Sequence, residues 1–135
     1  MFNFFKKKEK PVKKKEKIEL STEEKEYLTT ENQQFRSQIT AAEQETATDQ
    51  TELAALYEKL GLNEAKLDLI DEAIGSLEKS LEYKLTIGDG YKKLMSLYNR
   101  KRAEAARNGE DAGIDKYMGK MDEMRQIAKK VTISG

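Results

Sequence analysis

Tyr57-Glu58-Lys59-Leu60-Gly61 and, beginning twelve residues after that glycine, Ala73-Ile74-Gly75-Ser76-Leu77 decide how this chain folds. Large side chains at Tyr57, Leu60 and Leu77 are set, at helical spacing, beside a missing one at Gly61 and a small one at Ala73. Two helices approach closely only where a side chain is absent, and large neighbours then fill the space beside the gap. The spacing therefore predicts two helices joined by a turn near Leu67 to Leu69 and packed face to face. A packing signal of this kind describes a scaffold, and points to binding rather than turnover.

The helical period extends in both directions. Ser21-Thr22-Glu23-Glu24 matches a capping box, so a helix is expected to begin there. From Thr22 to Leu60 there is no Pro or Gly, and Leu28, Phe35, Ile39, Leu53, Leu56, Tyr57 and Leu60 recur every three, four or seven residues. The middle is weak: Gln44 to Gln50 has only Ala47 as an apolar residue and is rich in Thr, which loses rotamer freedom in helices. A break near Thr48 or Asp49 follows, with Asp49 or Thr51 capping a new helix. Further along, Ile70, Ala73, Ile74, Leu77 and Leu81 mark one helix, and Gly88-Asp89-Gly90 ends that helix or the loop after it. Tyr91, Leu94, Met95, Leu97 and Tyr98 mark a helix running to Arg107 and the Asn108-Gly109 turn. Ile114, Tyr117, Met118, Met121, Met124, Ile127, Ala128 and Val131 mark the last, its methionines read as core. The expected fold is all-α, with about five antiparallel helices and no strand. A rival reading uses heptads: Leu28, Phe35, Ala42 and Leu56 share one position, and Ile39, Thr46, Leu53 and Leu60 another. A continuous helix over 22–60 would then pair as a coiled coil and make a structural homodimer.

The 135 residues suit one domain, and the 37% apolar content is matched by 37% charged residues. With no Cys and no His, zinc sites, disulfides and Ser-His or Cys-His pairs are excluded, and no glycine-rich phosphate loop is present. Neither a cofactor nor a metal is expected, and the carboxylates are dispersed along helices rather than paired as a catalytic dyad; the chain reads as no enzyme. The net charge of zero conceals a division at residue 17. Residues 1–17 hold eight lysines against Glu9 and Glu16, and 18–135 are acidic by six. Phe2, Phe4 and Phe5 stand directly before Lys6, Lys7 and Lys8, with Lys10, Lys13, Lys14 and Lys15 following around Pro11. Such a run self-repels and is expected to be a disordered tail. Rings at the acyl boundary and ammonium groups over headgroups make it a candidate contact for an anionic membrane, or for another anionic partner including the body itself. Nucleic acid is disfavoured because the acidic body would repel phosphates. Apolar residues before lysines invert a secretory signal, and no run of 18 apolar residues occurs. The expectation is a cytoplasmic protein, peripheral at the inner face of the membrane.

The segment from about Leu53 to Leu85 resembles a tetratricopeptide repeat, a helix-turn-helix unit of about 34 residues. Tyr57 stands at its large aromatic position, Leu60-Gly61 at its Leu-Gly pair, Ala73 and Ser80 at small positions and Leu77 at the large one between them. The second tyrosine of the pattern falls on Glu64 and the closing proline on Leu85, both departures. One period on, Tyr91, Leu94 and Tyr98 return, although Met95 replaces the glycine and the small position falls on Arg107. Ile70, Ile74 and Leu77 recur as Ile114, Met118 and Met121, 44 residues later, so the second hairpin is expected to be longer. The resemblance makes 18–135 a repeat-like domain and implies a concave surface that binds a peptide or helix of a partner protein. By register that surface comprises Ala55, Glu58, Leu62 and Ala65 from one unit and Asp89, Lys92, Ser96 and Asn99 from the next. Lys92 and Asn99 are residue types that grip a peptide carboxylate in some members of that family; the plainer reading is a solvated polar face.

Overall fold

The computed structural model describes residues 19–45 and 49–134. Five α-helices and no strand are present among them: α1 (Thr22–Glu43), α2 (Gln50–Lys66), α3 (Ile70–Tyr83), α4 (Asp89–Arg107) and α5 (Asp111–Ser134). Residues 1–17, with every aromatic and lysine assigned to the tail, lie outside the described residues.

Local chemistry sets the helix ends. The Ser21 hydroxyl accepts from the Glu24 N–H at 3.1 Å while the Glu24 carboxylate accepts from the Ser21 N–H at 2.9 Å, the reciprocal box expected from the sequence. Asp49 caps α2 by accepting from the Thr51 N–H at 2.9 Å. Two helices end in the same motif. After α2, Asp68 takes φ 63° while its N–H donates to the Ala65 carbonyl and the Leu69 N–H to that of Glu64. After α4, Gly109 takes φ 68° while its N–H donates to Ala106 and the Glu110 N–H to Ala105. Glycine adopts that left-handed backbone freely; aspartate does so against its Cβ.

Of the break expected near Thr48 or Asp49, Thr48 lies outside the described residues, but α1 ends at Glu43 and α2 begins after Asp49: 22–60 holds two helices, and the continuous helix of the coiled-coil reading does not form. α1 ends at Glu43 and folds back along α2, so Leu28, Phe35 and Ile39 face the same chain rather than a second copy. Each helix packs on the next, and α2 also touches α4, which is how helical hairpins stack.

Two apolar clusters result. The larger one joins α3, α4 and α5 through Ala73, Leu77, Leu94, Leu97, Tyr98 and Met124, with Leu62 and Ala65 of α2 packed on it. The smaller joins α1 and α2 through Ile39, Ala42, Leu53, Leu56 and Leu60, with Tyr57 and Tyr83 beside it. Of the three methionines expected in the core, Met124 is buried and Met121 half-buried, but Met118 is 54% exposed, because it lies off the α5 face that meets α4.

The close approaches fall at small residues. A Cβ on Gly61 would lie 2.7 Å from Leu77 Cγ, and both Leu77 and Ala73 are wholly buried. Between α4 and α5 a Cβ on Gly113 would lie 2.9 Å from the Cβ of Ala105, so the second hairpin closes at Ala105 and Gly113. Arg107, at the small position by spacing, is exposed instead; the longer hairpin shifts the crossing by two residues.

Candidate protein interface

α2 and α4 lie side by side, and between them opens a groove of about 370 Å³ lined by Leu62, Asp89, Lys92, Lys93 and Ser96. Four of these five are residues that register alone assigned to a partner surface. Leu62 is half-buried and supplies the apolar floor, while Asp89, Lys92, Lys93 and Ser96 follow one another along the first two turns of α4. Lys92 and Lys93 are both exposed, and neither makes an ion pair among the described residues.

The remaining assigned residues are taken up differently. Glu58 is half-buried and its carboxylate accepts from the Gly90 N–H at 2.8 Å. Gly88, the residue before α4, offers no side chain to cap it, so Glu58 of α2 satisfies a donor at the positive end of the α4 dipole. A Cβ on Gly90 would lie 2.7 Å from that carboxylate oxygen, so a larger residue there would push the Glu58 side chain aside. Glu58 thus ties the first turn of α4 to α2 beside the groove. Ala65 is half-buried on the main cluster, Ala55 is exposed, and Asn99, one turn beyond the groove, accepts from Arg102 Nε at 3.0 Å. Lys93, which register did not select, also lines the groove. Nothing in the sequence pairs Glu58 with a backbone amide 32 residues away.

The residues expected to pack do so. Leu60, Gly61, Ala73, Leu77, Leu94 and Tyr98 are buried, and Tyr57 and Tyr91 are half-buried. Their hydroxyls tie helices together. Tyr57 and Tyr83 stack with ring centroids 5.8 Å apart and both donate to Glu43, at 2.8 and 3.0 Å, joining α1, α2 and α3. Tyr91 donates to the Met124 carbonyl at 2.9 Å, and Tyr98 donates to Glu78, which also faces Lys120 at 3.5 Å. Burial first, and then the carboxylate each one donates to, push the Tyr57 and Tyr98 hydroxyls well above the ordinary tyrosine range.

Glu64, at the position where the repeat pattern carries a second tyrosine, is only 3% exposed. Ser76 donates to it at 2.6 Å and Arg36 faces it at 3.2 Å, while Asn63 beside it donates to Glu31 at 2.8 Å. This polar seam lines neither the α2–α4 groove nor its rim. Among the described residues no group of three acidic side chains is placed to hold a metal, and no helix is long and apolar enough to cross a membrane. Comparison with family models, curated proteins and solved structures finds no match to this chain. Fold and site together define its class: an all-helical protein of stacked hairpins with an open groove of mixed charge.

Proposed function

We propose that this protein is a non-catalytic, tetratricopeptide-like interaction module that binds an extended, acidic segment of a partner protein in the groove between α2 and α4. The observation that carries this reading is the pair of ammonium groups at Lys92 and Lys93, neither in an ion pair among the described residues, beside the apolar floor at Leu62. A cationic wall on an apolar strip fits a segment in which a leucine-like residue is flanked by carboxylates. What supports the repeat character is the close contact of Gly61 with Leu77 and the stacking of each hairpin on the next. Residues 1–17 complete the proposal: Phe2, Phe4 and Phe5 with the lysines behind them attach the module to the anionic inner face of the membrane. Each lysine near such a surface contributes on the order of 1 kcal/mol, and the rings add the apolar part.

The test is a chemical-shift titration of the full chain with a short extended peptide carrying one leucine between aspartates. The expected result is a set of shifts centred on Leu62, Lys92, Lys93 and Ser96, with affinity falling about tenfold or more in Lys92→Glu. Shifts elsewhere, or binding that Lys92→Glu and Lys93→Glu leave untouched, overturn the groove assignment. Co-sedimentation with phosphatidylserine vesicles, against neutral ones, tests the tail by comparing the full chain with one lacking 1–17.

A further inference from the structure

The head of α1 carries another groove, of about 480 Å³, lined by Leu20, Glu23, Glu24, Tyr27, Leu28 and Lys66. Its floor is apolar: Leu28 is buried, Leu20 half-buried, and Tyr27 leaves 65% of its surface open. Its rim holds Glu23 and Glu24, neither in an ion pair among the described residues, together with Lys66; the Glu24 carboxylate also accepts from the Ser21 N–H at 2.9 Å. An exposed aromatic on an apolar floor, rimmed by these carboxylates, is complementary to a segment that joins aromatic rings to ammonium groups.

This chain contains such a segment, and it enters at the groove. Residues 1–17 place Phe2, Phe4 and Phe5 before eight lysines and end three positions ahead of Leu20, which lines the groove. We propose that the groove at the head of α1 seats the chain's own N-terminal segment. In that seat the phenylalanine rings would lie on Leu20, Tyr27 and Leu28, and the lysines over Glu23 and Glu24. The reach is ample: the fifteen residues from Phe5 to Leu20 span up to about 50 Å when extended, several times the length of one helical turn. The tether also supplies an effective concentration on the order of millimolar, so a contact too weak between separate molecules is populated within one. The charges agree over longer distance, since a segment carrying six net positive charges is joined to a body carrying six net negative ones.

A seated tail and a membrane-bound tail use the same three rings, so each excludes the other. The groove then acts as an internal competitor, and the module reaches an anionic surface only where that surface binds the tail better than α1 does. The seat itself is independent of the α2–α4 groove and of the membrane reading, and its test is separate from theirs.

The chain has no cysteine, so Asn3→Cys gives a single attachment point for a nitroxide spin label on the full chain. The expected result is loss of about half or more of the amide signal at Leu20, Tyr27, Leu28 and Lys66, with α5 unaffected. Salt at about 0.5 M should restore it by screening the rim charges. Replacing Phe2, Phe4 and Phe5 by serine, which changes no residue of the five helices, should restore it as well. Equal signal at all four positions, or broadening shared with the acidic face of α3, overturns the proposal. Broadening in an isotope-labelled, unmodified chain mixed with spin-labelled chain also overturns it, because the occupant would then be a second copy.

Discussion

Substituting alanine for glycine should stabilise this protein at two helical positions and destabilise it at a third, and the difference follows from the packing alone. Alanine is favoured over glycine inside a helix by about 1 kcal/mol. At Gly75 in α3 and Gly119 in α5 an added Cβ meets nothing within 4 Å, so both substitutions should raise stability by about 0.5 to 1 kcal/mol. At Gly61 the same Cβ falls 2.7 Å from Leu77 Cγ, 2.8 Å from its Cδ2 and 3.2 Å from Ser76 Cβ. Leu77 has no exposed surface into which to retreat, and the atom struck is a branch point rather than a flexible end. Overpacking of this kind costs about 1 to 3 kcal/mol. After the propensity gain, Gly61→Ala should lose up to about 2 kcal/mol. Urea denaturation followed by helical circular dichroism reads all three as midpoint shifts at constant slope. A second reading isolates the contact: Leu77→Ala removes a wholly buried side chain at about 2 to 5 kcal/mol in the native chain, and should cost measurably less in a background that already carries Gly61→Ala. If Gly61→Ala shifts the midpoint upward with Gly75→Ala, the helices do not meet there and the reasoning fails.

The two left-handed helix ends predict a further contrast. Asp68→Gly should gain up to about 1 kcal/mol by removing Cβ strain, less the small worth of the exposed Asp68–Arg100 pair at 3.0 Å, and Gly109→Asp should lose a similar amount in the same denaturation assay. Glu58→Ala removes the carboxylate bonded to the first turn of α4 and should lower stability by about 1 kcal/mol while broadening the amide signal of Gly90. Tyr57 and Tyr98 hold their protons more tightly folded than unfolded, so the stability they add is complete below the unfolded tyrosine value near 10 and declines as pH rises through and beyond it. Unfolding midpoints should therefore be insensitive to these groups at pH 8, fall above about pH 10, and fall less steeply in Tyr57→Phe and Tyr98→Phe.

What the sequence makes legible depends on how far apart the interacting groups lie in the chain. Ser21 with Glu24, Asp49 with Thr51, and the Asn108-Gly109 turn act within three residues, and each is legible because a cap or turn carries its own chemistry. Gly61 and Leu77 lie sixteen residues apart, yet the hairpin that joins them has a fixed length, so spacing is enough. Glu58 is not legible. Its partner is a backbone amide in another hairpin, and as a charged residue on a helix face it looks identical to one that contacts a ligand. Glu64 is opaque for the same reason, since it becomes buried only once Ser76 and Arg36 arrive from two other helices. The crossing at Ala105 and Gly113 escapes because it obeys the length of the second hairpin rather than the period of the first. The groove is legible in outline, at Leu62, Asp89, Lys92 and Ser96, because register places them on one side of two helices whether or not anything binds.

The polar seam beneath α1 follows from what an apolar seam alone would leave undecided. Leu28, Phe35, Ile39 and Ala42 recur so regularly that α1 could slide one turn along α2 and still bury them. A shift of one turn moves α1 by about 5.4 Å. Arg36 would then leave Glu64, and Glu31 would leave Asn63, stranding a buried carboxylate and a buried amide. Half of the Arg36 side chain is exposed and Glu64 would keep its bond from Ser76, so this loss is smaller than for a wholly buried pair. Each buried polar group left with fewer partners still costs about 1 to 3 kcal/mol. The seam gives up some stability relative to an apolar one, most visibly at Asn32, whose amide oxygen is buried without a hydrogen bond among the described residues. The polar bonds between Arg36 and Glu64 and between Asn63 and Glu31 thus favour the observed register of α1, the one in which Leu20, Tyr27 and Lys66 line a common groove.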